Sequence, residues 1–239
     1  MRRREVTLDG GTLIAYGHWG APVVAFPSED GEAWDWESRG MVDAVAPLLD
    51  AGRLKLYCVP SYDRESWTRR DLPLEERARR HGVYERWVLE QLVPFVQVDC
   101  HTHDLIAVGC SFGAYHAVNF CLKRADVFPR ALGLSGVYDV SVQGGGDRGD
   151  AVYFANPADY VVHLNGDHLD WLRGRASVVL VCGQGQWEDT TGALASTTSF
   201  GELLASKGIQ CEVDLWGHDV PHDWPSWRRQ IAHHLPRFV

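Results

Sequence analysis

Gly109-Cys110-Ser111-Phe112-Gly113 is the stretch whose residue types and spacing best suit chemistry in this chain. A serine between two glycines, entered from a strand and left into a helix, stands on a sharp turn with its hydroxyl exposed. The glycines are needed because such a turn has no room for Cβ atoms beside the serine. The flanks meet the condition. Asp104–Val108 reads as a short buried strand, and Ala114, Ala117, Val118, Cys121 and Leu122 recur at helical spacing. A serine placed in this way becomes a nucleophile once a base lies within hydrogen-bond reach and an acceptor orients that base.

In an open α/β sheet, the base and its acceptor belong on loops beyond the carboxyl ends of later strands. Eleven histidines are available. His222, in Gly217-His218-Asp219-Val220-Pro221-His222, directly precedes the closing helix on a loop long enough to fold back over Ser111; position favours it over His218. His18, His81, His116, His163, His168, His233 and His234 read as surface or core residues. His101 and His103 fall at the opposite edge of the sheet, and Cys100, His101 and His103 lack the further ligands a metal would need. For the acceptor, Glu188 and Asp189 follow the glycine turn Gly183-Gln184-Gly185. Glu188, nearer the strand end, is the first choice and Asp189 the alternative. An oxyanion would be met by the N–H of Phe112 at the helix start and by a second N–H from the loop Phe26–Gly31. Pro27 has no N–H, so Ser28 or Glu29 must supply it.

The elements that hold these residues can be read as follows. Strands are expected at Val6–Leu8, Leu13–Trp19, Val23–Phe26, Leu54–Val59, Asp104–Val108, Ala131–Ser135, Val178–Cys182 and Cys211–Trp216. The first two alternate as a hairpin about Asp9-Gly10-Gly11, and the later apolar runs suit a parallel sheet covered on both faces. Helices are expected at Met41–Leu49, Leu74–Phe95, Phe112–Lys123, Ser199–Lys207 and Trp224–His234. The alternation gives one doubly wound α/β domain over 1–239. Residues 140–176 can hold small helices but no large lid, and the glycine-rich loop 143–150 reads as a mobile surface loop, not a phosphate cradle.

Three segments carry a family resemblance: Gly-Cys-Ser-Phe-Gly-Ala-Tyr at 109–115, Leu-Ser-Gly-Val-Tyr-Asp at 134–139 and His-Asp-Trp-Pro-Ser-Trp at 222–227. Together they resemble the putative esterase family of α/β hydrolases, which includes feruloyl esterases, S-formylglutathione hydrolase (esterase D) and the antigen 85 mycolyltransferases. The resemblance implies an α/β-hydrolase fold: a mostly parallel eight-stranded sheet with helices on both faces and little or no lid domain. It also implies a serine esterase working through an acyl-enzyme, with His222 as the base. The family's acid varies in position; by the mycolyltransferase pattern it would be Glu202. Many relatives carry His-Gly where this chain has Pro27-Ser28. An acyltransferase with the same triad, or a non-catalytic binding protein on the same scaffold, are the rival readings.

Composition narrows the partners. A net charge of −9 argues against nucleic acid and anionic membranes, and no apolar run is long enough to span a bilayer. Six scattered cysteines without a C-x-x-C pair suit a reduced, cytoplasmic protein. A small-molecule ester is the expected partner, with no metal or organic cofactor implied; oligomeric state is not legible. Trp34, Trp36, Tyr62, Trp67 and Trp187 fall in loops at the catalytic edge, where they could line an apolar or aromatic substrate pocket or simply pack.

Overall fold

The computed structural model describes residues 2–144 and 148–239, so Gly145, Gly146 and Asp147 of the glycine-rich loop lie outside the described residues. All eight expected strands form, as β1 (Arg3–Leu8), β2 (Gly11–Tyr16), β3 (Ala21–Phe26), β4 (Leu54–Cys58), β5 (Ile106–Cys110), β6 (Arg130–Leu134), β7 (Ser177–Cys182) and β8 (Gln210–Leu215). They join one sheet in the order β1-β2-β4-β3-β5-β6-β7-β8. The β1–β2 and β2–β4 pairings are antiparallel and the rest parallel. The first hairpin turns at Gly10 with φ 91°, and β2 stops at Tyr16 because Gly17 (φ 92°) turns the chain away before the expected end at Trp19.

Alternate residues of the central strands feed two cores. Val24, Phe26 and Ala107 join one, beneath α4 (Leu74–Trp87), α5 (Val93–Cys100), α6 (Phe112–Lys123) and α10 (Ala193–Ser206). Val23, Ala25, Ile106 and Val108 join the other, beneath α1 (Asp35–Ser38), α2 (Met41–Ala44), α3 (Ala46–Asp50) and α11 (Trp224–His234). Strands buried on both faces cannot alternate in polarity, which is why they read as continuous apolar runs.

Prolines and hydroxyls explain where the helices depart from expectation. The single helix expected over Met41–Leu49 is split at Val45, because Pro47 can neither donate an N–H to the preceding turn nor clear its carbonyl. The helix begun at Leu74 runs on to Cys100, crossing Pro94 through a π-helical turn at Val88–Leu92 that absorbs the missing hydrogen bond. α10 starts at Ala193 and not at Ser199. Its Ser/Thr-rich first half is a poor helix former alone, but here Thr198 bonds back to the Leu194 carbonyl (3.0 Å) and Ser196 accepts the Tyr138 N–H (2.7 Å). Among the described residues between β6 and β7 lie three short helices, α7 (Asp150–Ala155), α8 (Pro157–His163) and α9 (Gly166–Arg175), and no lid domain. Among the described residues, no helix is long and apolar enough to cross a membrane.

Candidate active site

Parallel register brings the carboxyl ends of β5, β6 and β7 side by side. The Ser111 N–H donates to the Leu134 carbonyl (2.8 Å), and the Ser135 N–H donates to that of Val181 (2.7 Å). Ser111 itself sits between β5 and α6 at φ 54°, ψ −123°. A Cβ on Gly109 would lie 2.0 Å from the Gly113 carbonyl oxygen, and one on Gly113 would lie 2.1 Å from that of Pro27. Both contacts are with backbone, so neither neighbour can give way. The two glycines let the turn close and let α6 seat its first turn against the end of β3.

Two loops bring a histidine and a carboxylate to this serine. After β7, the chain passes through Trp187 in the left-handed region (φ 70°), which turns Glu188 inward until it is wholly buried. After β8, the chain runs beside it: Gly185 N–H donates to the Val220 carbonyl (2.9 Å) and His222 N–H to that of Gln186 (3.0 Å). Asp223 caps α11 by accepting the Ser226 N–H (2.9 Å), which fixes His222 at the helix entrance. His222 Nδ1–H then donates to Glu188 Oε2 at 2.9 Å, leaving Nε2 to accept from the Ser111 hydroxyl at 3.0 Å.

The other candidates lie elsewhere. His218 is exposed, with its Nδ1–H directed at the Gln184 carbonyl (3.2 Å). Asp189 is exposed and accepts the Thr190 N–H (2.8 Å), and Glu202 is exposed on α10. Neither carboxylate approaches His222. Among the described residues, no group of three or more His, Cys, Asp and Glu side chains could hold a metal ion.

A buried carboxylate is costly unless hydrogen bonds satisfy it, and Glu188 is well supplied. Its Oε1 accepts the Ser135 hydroxyl (2.6 Å) and the Gly183 N–H (3.3 Å); besides His222, its Oε2 accepts the Cys182 thiol (3.4 Å). Burial, and then the negative charge of Glu188, pushes the Cys182 thiol well up, so it remains a protonated donor. Ser135 in turn accepts the indole N–H of Trp227 (3.1 Å), whose ring meets His222 edge-to-face at 5.0 Å. Ser135 and Trp227 were not among the expected site residues. The signal was there, since Ser135 directly follows β6, the strand beside β7, and Trp227 lies one turn into the helix that follows His222.

The N–H groups of Phe112, Ser28 and Glu29, expected to meet an oxyanion, have no protein acceptor among the described residues. Burial, and then the Asp63 carboxylate, raises Glu29 above the usual carboxylate range.

Of the five aromatic residues expected either to line a pocket or to pack, three pack and two stand half exposed. Trp34 and Trp187 are half exposed, at 55% and 52%. Trp36 is completely buried, its indole N–H on the Phe26 carbonyl (3.2 Å), and Trp67 is buried among His81, Phe112 and Tyr115. Tyr62 packs at tilted angles against Tyr84 and Trp87 and donates its hydroxyl to the Gly10 carbonyl, back at the first hairpin. These three pack because their rings are more useful against the long α4 helix and the β3 end than in water.

Comparison with known proteins places this geometry in context. A search by sequence among curated proteins finds no match. Solved structures match across nearly the full chain. A ferulic acid esterase superposes with a TM-score of 0.70 at 16% identity, covering 99% of this chain and 96% of its own. The S-formylglutathione hydrolase FrmB of Staphylococcus aureus gives 0.68 at 13% identity, covering 99% and 95%. MPT51 of Mycobacterium tuberculosis gives 0.68 at 15%, covering 97% and 96%. At such identities these likenesses establish the fold. The family follows from a sequence model described as "Putative esterase", which matches residues 37–238. The chain therefore belongs to the putative esterase family of α/β hydrolases, and with it to the carboxylic-ester hydrolases.

Proposed function

We propose that the protein cleaves small-molecule carboxylic esters through an acyl-enzyme, with Ser111 as nucleophile, His222 as general base and Glu188 as triad acid. The observation that carries this reading is the continuous hydrogen-bond chain Ser111–His222–Glu188, at 3.0 and 2.9 Å, ending in a carboxylate with no exposed surface.

In the first step the Ser111 oxygen attacks the ester carbonyl while its proton passes to His222 Nε2. The imidazolium that forms is stabilised by the buried Glu188, which also fixes the ring's orientation. Charge developing on the carbonyl oxygen is met by the Phe112 N–H, at the start of a 12-residue helix whose dipole favours it, and by the Ser28 or Glu29 N–H. The tetrahedral intermediate collapses as Nε2 returns the proton to the departing alcohol oxygen. Water then repeats the sequence on the acyl-enzyme, releasing the acid and restoring the serine. All six cysteines are free thiols, which favours action in a reducing cytoplasm.

The test is a pair of histidine variants assayed on a p-nitrophenyl ester by stopped flow. His222→Ala should lose the steady-state rate and the initial burst of p-nitrophenol together, while His218→Ala keeps both. The reverse pattern would overturn the assignment of the base.

A further inference from the structure

Asp63 is 1% exposed and is not part of the hydrogen-bond chain through Ser111. It begins a short turn after β4, and its two carboxylate oxygens reach in different directions. Oδ2 accepts the backbone N–H of Asp30 (3.2 Å), in the loop that carries Ser28 and Glu29. Oδ1 accepts Nε2–H of His116 (3.1 Å), which is also buried. His116 lies one turn after Phe112 on α6, and the two rings meet edge-to-face at 5.2 Å. Asp30 holds a left-handed backbone (φ 57°), unusual for a residue with a Cβ. Such a conformation persists when its surroundings enforce it. Here the Thr68 hydroxyl, donating to Asp30 Oδ1 at 2.8 Å, adds a second restraint to that from Asp63. The same loop is tied at its far end by the Ser61 N–H on the Gly31 carbonyl (2.9 Å).

From this we infer that Asp63 and His116 are positioning residues for the oxyanion hole. A single buried carboxylate ties the loop that carries one N–H donor to the helix that carries the other. The two donors come from segments 84 positions apart in the chain (Phe112 against Ser28), so their spacing is set by what links the segments. The β3–β5 pairing, with Phe26 opposite Gly109, is one link and the contact of Gly113 with the Pro27 and Phe26 carbonyls a second; the Asp63 bridge adds a third, beyond the strand ends. Displacement of a donor by about 1 Å can lower a rate on the order of 100-fold.

The inference rests on the reading of the site as a serine esterase, and the experiment separates the two. Ser111→Ala, run alongside, should abolish ester turnover; if it does not, the esterase reading fails before this one is reached. With Ser111-dependent turnover established, Asp63→Ala should lower kcat by roughly 10- to 100-fold while KM stays within about threefold. It should also weaken inhibition by an aryl trifluoromethyl ketone, whose serine adduct carries an oxyanion, by a similar factor. His116→Gln retains an amide N–H for Asp63 and should keep more activity than His116→Ala. Thr68→Val, which removes the hydroxyl that meets Asp30 Oδ1 and lies 3.0 Å from the Asp63 carbonyl oxygen, should show a smaller loss of the same kind; with the His116 pair it carries the test if Asp63→Ala does not fold. A purely structural role would lower the melting temperature while leaving the ratio of inhibitor constant to KM at its wild-type value. That result in folded variants would overturn the inference.

Discussion

Replacing Ser135 by alanine probes the support behind Glu188 without touching the three residues of the proposed triad. The hydroxyl donates to Glu188 Oε1 at 2.6 Å and accepts the Trp227 indole N–H at 3.1 Å. Its removal deprives a wholly buried carboxylate of its shortest hydrogen bond, an interaction to a charged group that contributes about 1.5–3 kcal/mol. It also leaves the indole N–H without a partner in a buried place, which costs about 1–3 kcal/mol. Alanine tolerates the φ of 52° at this position no worse than serine, so the backbone adds nothing. Allowing for partial relaxation, the loss should be about 2–4 kcal/mol, seen as a fall in melting temperature of about 5–15 °C for a chain of this length. Glu188 keeps His222 and the Gly183 N–H, so turnover should drop only about tenfold, far less than the roughly 10⁴-fold loss when a triad acid is neutralised. Trp227→Phe completes a double-mutant cycle in chemical denaturation. Because the indole N–H is orphaned only when the hydroxyl is gone, Ser135→Ala should be milder in the Trp227→Phe background than in the wild type, by about 1–3 kcal/mol. Additive effects within about 0.5 kcal/mol would refute the reasoning.

Other expectations follow from the same geometry. Glu188→Gln should lower kcat on a p-nitrophenyl ester by roughly 10⁴-fold, while Asp189→Asn and Glu202→Gln stay near wild type; a deficit in either of the latter would reassign the acid. Gly113→Ala places a methyl against backbone oxygens at 2.1 and 2.5 Å and should destabilise by roughly 3 kcal/mol or more in urea titration. Gly82→Ala, inside a helix with nothing within 4 Å, should instead stabilise by roughly 0.5–1 kcal/mol. Burial would raise Asp99, but hydrogen bonds from Lys55, Tyr57 and Arg4 outweigh it and hold its carboxyl at about 2, below the ordinary 3.8. A depressed carboxyl contributes stability above its unfolded pKa and loses it as pH falls through the folded one. The melting-temperature gap between wild type and Asp99→Asn should therefore be constant above about pH 5 and shrink as pH drops from about 4 to 2.

The strand pattern was legible because each strand is a short apolar run between turn residues, and the helix after Ser111 because its apolar positions recur cleanly. Helix boundaries were less so: Pro47 and Pro94 act through backbone groups one turn away, and the hydroxyls of Ser196 and Thr198 find partners only in the folded chain. Among the site residues, the sequence could rank Glu188 above Asp189 only by nearness to the strand. What separates them in the structure is the left-handed turn at Trp187, which faces one carboxylate inward and leaves its neighbour in water. Ser135 and Trp227, though inside the segments that carry the family resemblance, were given no role, and Asp63 was not singled out, because a supporting residue is defined by what it touches and its type alone carries no signal. The sequence could not separate packing from pocket-lining aromatics for the same reason: Trp36 and Trp34 are two positions apart, yet one is buried and the other half exposed.

The central claim, that Ser111 is a nucleophile activated by His222, is tested most directly by covalent labelling. Incubation with a fluorophosphonate and peptide mass spectrometry should place one adduct on the peptide containing Ser111 in the wild type. Ser111→Ala should take up no label and show no ester turnover. A folded wild type that stays unlabelled, or a Ser111→Ala variant labelled to the same extent, would contradict the account.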